Sequence, residues 1–468
     1  MDMMKIKIVR GLLAGVLLVA LTGCEYIDDI PVGARYIAKN ICSGLFVSGY
    51  DEDLLVNDYV TSIVPQLKSI WNINIDKQAK QVTVSDKLFK QHYQALSVYR
   101  EGLGCVNQRD ETAAELRNQV DFPLRGKVLL NKPWPFGWAG VDASSVNESV
   151  LVELSALLDQ EFINPDGKVK HTTGVAIVKN GKLIMERYAG GLTSHAAVKG
   201  FSMSKSLVNA LGGVLYDKGA LELDAPLAFD EWEGTDKNSI TFRHLAHMSS
   251  GLKYTERAIG DDNDQGLLLY GKQQPFDFMT GKSLIATPGE VYNYSSGDNL
   301  LAARKLQNLM GGMENSYRII RDDLFHKIDV TSALVEHSGD GYMLAPESLM
   351  LSVRDWARFG WLYNNRGRWG DDQVLSEEWI DYSLTPAETN ESYGAFLWLN
   401  TGQWFFEDLP QDTIAFVGAL ERYVIIIPSL NIVVVRVGFS HDRDTVDINV
   451  FVKSIVDVLS GVVPLKAE

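Results

Sequence analysis

The sequence is poor in cysteine and in basic charge, and each shortage excludes a class of function. Three cysteines occur in 468 residues, and their wide separation without nearby histidine argues against a zinc site. Lysine and arginine number 44 against 60 acidic residues, so the net charge is −16 and no basic stripe follows a phosphate backbone. Internal repeats and low-complexity segments are also missing. We therefore expect no nucleic-acid partner, no metal and no cofactor.

Long apolar runs are missing too, apart from a short one near the N-terminus. Three basic residues precede the run Gly11–Leu21, which is too short for a comfortable transmembrane helix but is typical of a secretory signal. Residues 21–24 read Leu-Thr-Gly-Cys and resemble a bacterial lipobox. We expect residues 1–23 to be a lipoprotein signal peptide and Cys24 to be the lipidated residue that anchors the protein to a membrane of a bacterial cell envelope, at the periplasmic face or the outer membrane. The alternative is an ordinary signal peptide followed by an incidental cysteine.

Residues 24–130 contain no catalytic motif and are expected to form a small N-terminal accessory region. The strand-like runs Trp71–Asp76 and Gln81–Asp86 predict a hairpin. In an oxidising compartment the two remaining cysteines, Cys42 and Cys105, are expected to form a disulfide, and two buried thiols are the alternative. The Pro- and Trp-containing run Asn131–Trp138 then marks the start of the larger region, 131–468.

The larger region begins and ends with strand patterns and has helices between them. An Asn180-Gly181 pair between the first two patterns predicts a tight hairpin. We expect an α+β fold in which both ends share one antiparallel sheet flanked by helices, with a mostly helical subdomain between them. The strand patterns are Gly174–Lys179, Lys182–Tyr188, Tyr423–Pro428 and Ile432–Val437. The clearer helical patterns are Val150–Phe162, Ile240–Met248, Asp355–Tyr363 and Ile448–Leu459.

The strongest functional signal lies at the start of an apolar helix, in the stretch Gly200–Ala220. Apolar residues recur at helical spacing after Lys205, so we expect a buried helix that begins near Ser202, and Gly219 lies where the helix would end. Ser202 and Lys205 are three residues apart, so the hydroxyl and the amine can meet across the first turn. This arrangement places a nucleophile beside a base. The non-catalytic interpretation is a serine N-cap with a solvated lysine.

A second pattern lies in a downstream loop, where a Pro-Gly turn and an aromatic run precede another apolar helix. Acyl transfer needs a group that relays the proton and a site for the oxyanion. Tyr294 and Ser296 in this loop are the candidates for the proton relay and for substrate binding. Tyr363-Asn364-Asn365 also fits Tyr-x-Asn, but it reads as an ordinary helix terminus and turn. We therefore prefer Tyr294.

Together, Ser202-Met203-Ser204-Lys205 and Tyr294-Ser295-Ser296 resemble motifs of the serine β-lactamase and penicillin-binding-protein superfamily. The resemblance covers about residues 174–438 and is clearest to the class C β-lactamase-like branch, which holds esterases, D-amino-acid peptidases and 6-aminohexanoate-dimer hydrolases. It implies an exported serine hydrolase that cleaves an ester or amide through a Ser202 acyl-enzyme. In that mechanism Lys205 or Tyr294 is the base, and Tyr294 protonates the leaving group.

The third motif of this superfamily, a Lys- or His-Thr-Gly, is altered. The matching position reads Phe416-Val417-Gly418, so only the glycine remains. Gly418 would let the backbone approach the substrate, and the Ala419 N–H would join the Ser202 N–H in an oxyanion hole. Phe416 and Val417 cannot hold a substrate carboxylate. We therefore expect an ester or a non-carboxylated amide as substrate.

Other interpretations stay open at the level of sequence. β-Lactamase or D-amino-acid peptidase activity would need a carboxylate partner, for which Arg422 or Lys253 is available. A non-catalytic binding or sensor lipoprotein would keep the fold without turnover. An α/β-hydrolase is disfavoured because Gly200–Ser204 is one residue short of its nucleophile motif and parallel strands are not indicated. His244 and His247 are interpreted as packed helix residues and not as metal ligands.

Overall fold

The computed structural model describes residues 29–59, 69–119, 131–164, 170–440 and 445–461. Its strands are β1 (Trp71–Asp76), β2 (Gln81–Asp86), β3 (Gln94–Arg100), β4 (Gly104–Asn107), β5 (Thr172–Lys179), β6 (Lys182–Tyr188), β7 (Val198–Lys199), β8 (Leu334–Val335), β9 (Leu349–Leu351), β10 (Arg368–Trp369), β11 (Asp372–Gln373), β12 (Trp398–Leu399), β13 (Ile414–Gly418), β14 (Arg422–Ile427) and β15 (Ile432–Gly438). Its α-helices are α1 (Ile30–Ser43), α2 (Ala113–Arg117), α3 (Glu148–Phe162), α4 (Lys205–Asp217), α5 (Phe242–Ala246), α6 (Asp264–Gly266), α7 (Pro275–Thr280), α8 (Ser296–Leu309), α9 (Met313–Ile319), α10 (Val353–Asn364), α11 (Glu377–Leu384) and α12 (Ile448–Ser460).

A six-stranded antiparallel sheet unites the two ends of the larger region, in the order β12-β13-β14-β15-β5-β6. The late strand β15 pairs with the early strand β5, with Val434 opposite Ile177. Both faces of this sheet are covered, one by α3 and α12 and the other by α10. Because both faces of the sheet are buried, β14 and β15 consist mostly of Val and Ile. The expected shared sheet and α+β fold are confirmed.

The turn between β5 and β6 is the predicted two-residue hairpin. Asn180 has φ of 50° and Gly181 has φ of 74°, the left-handed pair that a tight hairpin turn requires. The strands on either side pair from Lys179 and Lys182 onward. The Asn180-Gly181 turn therefore sets the pairing register of β5 and β6 at this edge of the central sheet.

The N-terminal residues form a second sheet, β1-β2-β3-β4, against which α1 packs. The predicted hairpin is confirmed with the same bounds for both strands. Cys42 in α1 and Cys105 in β4 form a disulfide with a Cα–Cα distance of 6.0 Å, which also confirms that prediction. Helix α1 was not predicted. The proposed division near residue 130 stays a prediction, because residues 120–130 lie outside the described part of the chain.

The two sheets are joined through a shared core and a buried carboxylate. Glu336 accepts hydrogen bonds from Ser43 Oγ at 2.7 Å and from the Cys105 N–H at 2.8 Å, and it pairs with Lys39. Ile37 and Ile41 of α1 belong to the same apolar cluster as Phe201 of the larger region. The N-terminal residues are thus packed firmly against the region that carries the catalytic motifs.

The mostly helical middle of the larger region also contains short strands that were not predicted. β9 pairs with β7 on one side and with β8 on the other, and Lys199 of β7 lies opposite Met350 of β9. Strands of two or three residues are too short for a periodic signal. The helix expected over Ile240–Met248 is shorter, Phe242–Ala246. Among the described residues, no helix has the length and apolar character needed to span a membrane.

Candidate active site

The predicted nucleophile lies in a tight turn between a short strand and a helix. Ser202 belongs to a 3-10 turn over Phe201–Ser204, so α4 begins at Lys205 and not at Ser202 as expected. The Ser204 hydroxyl accepts a hydrogen bond from the Leu349 N–H at 3.0 Å and ties the turn to β9. Phe201 has φ of 48°, a left-handed conformation that is costly for a bulky residue. The backbone is therefore strained directly before the predicted nucleophile.

The Lys205 amine lies at the centre of the site. Its Nζ is 3.0 Å from Ser202 Oγ, 3.0 Å from Ser296 Oγ and 3.5 Å from the Pro346 carbonyl oxygen. The residue is 1% exposed. Burial lowers the pKa of Lys205, and the carboxylates of Glu256 and Glu347 partly oppose this shift. Lowered proton affinity and contact with Ser202 are the properties that a general base requires.

Tyr294 borders the same amine and is held by aromatic contacts. The Lys205 Nζ is 5.0 Å from the centre of its ring. The ring stacks on Trp398 at 5.4 Å and meets Tyr393 edge-on at 5.9 Å. Burial raises the pKa of Tyr294, and the charge of Glu256 raises it further. Its hydroxyl therefore keeps its proton at neutral pH and can donate it only to a strongly basic atom, such as the oxygen of a departing alkoxide.

Ser296 is the first residue of α8 and bridges Lys205 to a carboxylate that the motifs did not indicate. Glu256 accepts hydrogen bonds from the Ser296 N–H at 2.7 Å and from Ser296 Oγ at 2.6 Å. The Gln265 amide donates to the same carboxylate at 2.7 Å. Glu256 lies in an irregular polar loop, 40 residues from Ser296 in the chain, and no local pattern marks it. Sequence reasoning therefore missed this residue.

Gly418 lies directly against the turn Phe201–Ser204, the nucleophile turn, which contains Ser202. A Cβ atom at this position would be 2.3 Å from the Gly200 carbonyl oxygen, so only glycine permits the approach of β13. Ala419 follows at the exposed start of the turn into β14. The next two residues, Leu420 and Glu421, have φ of 67° and 54°, which are left-handed conformations. They form a second strained backbone segment beside the site. The structure thus brings Gly418 and Ala419 to the Ser202 turn.

The altered third motif supplies no cation. The Phe416 ring is buried against Phe359 and Tyr363. Arg422, weighed above as a carboxylate partner, is 1% exposed, donates to the Gly438 carbonyl at 2.9 Å and also donates to the Lys199 carbonyl. Arg422 is therefore not available as a carboxylate partner, because its guanidinium is buried and committed to backbone oxygens. Lys253 is exposed.

The sequence patterns that were set aside have structural roles. The Tyr363 hydroxyl donates to Asn209 Oδ1 at 2.6 Å within the core. His244 caps its own helix by accepting from the Thr241 N–H, and His247 stacks on Tyr382. Within the described ranges, no group of three or more His, Cys, Asp or Glu side chains could hold a metal ion. Cys24, the predicted lipidation site, lies outside the described residues.

The region that contains this site is similar to proteins of a known family. Residues 165–440, more than half of the chain, match the model of the family described as Beta-lactamase. The chain belongs to the beta-lactamase family. That membership supports a serine hydrolase in general and confirms the superfamily indicated by the motifs. No curated protein matches the chain.

Solved structures share the beta-lactamase fold at low identity. A "Putative 6-aminohexanoate-dimer hydrolase from Bacillus anthracis" is 20% identical, with a TM-score of 0.52 over 66% of this chain and 80% of that one. A family VIII carboxylesterase is 12% identical, with a TM-score of 0.54 over 67% and 98% of the two chains. A penicillin-binding protein homologue from Caulobacter crescentus is also 12% identical, with a TM-score of 0.52 over 68% and 99%. At these identities the likeness shows the fold alone.

Proposed function

We propose that the protein is a serine hydrolase that cleaves an ester or a non-carboxylated amide through an acyl-enzyme on Ser202. The observation that carries the proposal is the position of the Lys205 amine, buried and 3.0 Å from both Ser202 Oγ and Ser296 Oγ. A solvated lysine beside a helix cap would have neither this burial nor these partners.

In the proposed reaction, neutral Lys205 accepts the proton of Ser202 as Oγ forms a bond to the substrate carbonyl carbon. The N–H groups of Ser202 and Ala419 stabilise the oxyanion. The bond to the leaving group then breaks, and Tyr294 donates a proton to the departing oxygen or nitrogen. Lys205 passes the proton taken from Ser202 to Tyr294, which resets both groups. Lys205 then accepts a proton from water as the water attacks the acyl-enzyme, and it returns that proton to Ser202 Oγ as the acid leaves. Lys205 is assigned as base because burial lowers its pKa, whereas burial raises the pKa of Tyr294.

An ester is favoured over a β-lactam as the substrate. Penicillin-like substrates carry a carboxylate, which needs a cationic or hydroxyl partner in the site. Phe416 and Val417 offer neither, and Arg422 is occupied by backbone carbonyls. The protein should therefore hydrolyse a nitrophenyl ester faster than a chromogenic cephalosporin. A faster reaction with the cephalosporin would favour the β-lactamase alternative.

Covalent labelling by a fluorophosphonate tests the nucleophile. The wild type should be labelled, and Ser202→Ala should not be labelled. Ser206→Ala is the matched control, since Ser206 is a buried serine of α4 whose hydroxyl donates to the Met203 carbonyl at 2.6 Å. Labelling of Ser202→Ala would disprove the assignment. A wild type that is neither labelled nor able to turn over a nitrophenyl ester would support the non-catalytic binding or sensor alternative.

We also propose export and lipidation at Cys24. The Cys42–Cys105 disulfide supports an oxidising compartment, where such bonds persist. In a bacterial host, the wild type should incorporate labelled palmitate and fractionate with membranes. Cys24→Ser should lose both properties while Cys42→Ser keeps the label. Equal labelling of Cys24→Ser would exclude this anchor.

A further inference from the structure

An apolar cavity lies beside the nucleophile turn and is walled on one side by the N-terminal region. Its volume is about 180 Å³. Val32 and Ile37 of α1 and Trp71 of β1 line one side, and Leu269, Phe201 and Ala419 line the other. Phe201 immediately precedes the nucleophile, and Ala419 is the proposed oxyanion residue. The cavity is therefore lined by the sequence neighbours of Ser202 and Gly418, and not by Ser202 itself.

A chain of hydrogen bonds connects the cavity wall to the Lys205 amine. Gln265 lines the cavity and donates to Glu256 at 2.7 Å. Glu256 accepts from Ser296, and Ser296 Oγ lies 3.0 Å from Lys205 Nζ. The loop that holds Glu256 also contributes Ala258 and Ile259 to the cavity. The wall and the catalytic groups thus belong to one hydrogen-bonded unit.

The polar side chains along the cavity already have partners within the protein. Glu347 pairs with Lys199 at 2.9 Å and accepts from the Tyr270 hydroxyl at 2.6 Å. Asp29 accepts from the Gly260 N–H at 2.7 Å, and Tyr36 accepts from the Tyr59 hydroxyl at 2.8 Å. A charged ligand would find these groups occupied, whereas an apolar ligand would lose nothing by contact with them.

The position of Tyr294 decides which half of a substrate faces the cavity. The leaving group must lie at the Tyr294 hydroxyl, and that ring is enclosed by Trp398 and Tyr393. None of these three residues lines the cavity, whereas Ala419 does. The acyl half of the substrate extends from the carbonyl on the side away from the leaving group. It is therefore the half that the cavity can receive.

We infer that this cavity is the acyl pocket, that it takes an apolar acyl chain, and that the N-terminal region determines the chain length. The inference rests on the proposed function, since it names the substrate class of the same site. An apolar cavity of about 150 Å³ holds a benzene molecule, so this one has room for roughly six to eight carbon atoms. Esters of medium-length fatty acids fit this description.

The test compares four esters on the full-length protein. 4-Nitrophenyl acetate and 4-nitrophenyl octanoate differ in the acyl chain, and octyl acetate carries the same eight-carbon length in the alcohol. The wild type should show a kcat/KM for 4-nitrophenyl octanoate about tenfold or more above that for the acetate, because the added methylenes are buried. Octyl acetate should show no such advantage in kcat/KM over ethyl acetate, which has the same acyl group and the same kind of leaving group.

Ala258→Trp places an indole at the cavity wall from an exposed position, so it should not disturb the core. It should lower the octanoate-to-acetate ratio of kcat/KM about tenfold or more, since roughly the volume of one ring is lost. Ala114→Trp makes the same change at an exposed residue of α2 that does not line the cavity, and it should keep the ratio. Val32→Ala, in the N-terminal helix, should shift the preference toward longer chains.

The outcomes separate this inference from the proposed function. If wild type reacts with 4-nitrophenyl octanoate and 4-nitrophenyl acetate at similar kcat/KM, or if Ala258→Trp leaves the octanoate-to-acetate ratio unchanged, the acyl pocket is wrong while Ser202 remains the nucleophile. If Val32→Ala leaves the chain-length preference unchanged, the N-terminal region does not set it. If neither ethyl nor octyl fluorophosphonate labels wild type, the proposed function itself fails.

Discussion

Lys205 is the residue at which burial and nearby carboxylates act in opposite directions. Burial lowers its pKa, while Glu256 and Glu347 favour its protonated form. A general base must be neutral, so kcat/KM should rise as pH rises through the pKa of Lys205, which lies below the ordinary lysine value. In the proposed mechanism, the carboxylates around this amine set the pH at which activity appears.

Glu256→Gln removes one of these charges and keeps an oxygen that can accept from Ser296. Protonated Lys205 then loses a favourable partner, so its pKa falls further. The rising limb of the kcat/KM profile should move to lower pH by on the order of one pH unit. Glu388→Gln, an exposed carboxylate outside the site, is the control. A limb that does not move, or that moves to higher pH, would show that Glu256 has no electrostatic effect on the base.

Tyr294→Phe tests the proton donor through the choice of leaving group. 4-Nitrophenolate departs without a proton, whereas an alkoxide needs one. Hydrolysis of an ethyl ester should fall about 100-fold or more, and hydrolysis of the nitrophenyl ester with the same acyl group should fall much less. Tyr363→Phe is the matched control, since its hydroxyl bonds to Asn209 in the core. Equal losses for both esters would exclude Tyr294 as the donor.

At the scale of elements, the site depends on how closely β13 approaches the turn before α4. Gly418→Ala would place a Cβ atom 2.3 Å from the Gly200 carbonyl oxygen, so the strand would have to move away. Misplacing the Ala419 N–H should lower kcat about 100-fold, with a smaller effect on KM. Val417→Ala, in the same strand, is the control. A near-normal kcat in Gly418→Ala would mean that the Ala419 N–H is not an oxyanion donor.

At the scale of the whole molecule, the N-terminal region is joined to the hydrolase region by a common core and by the Glu336 contacts. The disulfide closes a loop with a sequence separation of 63 residues inside this region. By loop entropy alone, Cys42→Ala/Cys105→Ala should lose about 4 kcal/mol of stability. Thermal unfolding should show a lower Tm for the variant than for the wild type. The Tm of the wild type measured in a reducing agent should equal that of the variant. Equal Tm values for wild type and variant under oxidising conditions would contradict the prediction.

Several features follow from the sequence because their causes are local. The Asn180-Gly181 turn and the β1–β2 hairpin depend on neighbouring residues, and both have the predicted bounds. Ser202 and Lys205 meet because residues three apart share one side of a helical turn. Even here, the start of α4 was misplaced, because the pairing of β7 with β9 holds Ser202 in a 3-10 turn.

The superfamily can be inferred from the sequence because two of its motifs resemble those of known proteins. The shared sheet and the paired serine and lysine can be predicted because apolar periodicity and short-range geometry depend on neighbouring residues. The bonds from Ser296 to Glu256, the occupied guanidinium of Arg422 and the cavity between α1 and Phe201 become visible only in the folded protein. These contacts join residues far apart in the chain, and no periodic pattern encodes them. They arise when packed elements bring distant side chains together, which the order of residues alone does not reveal.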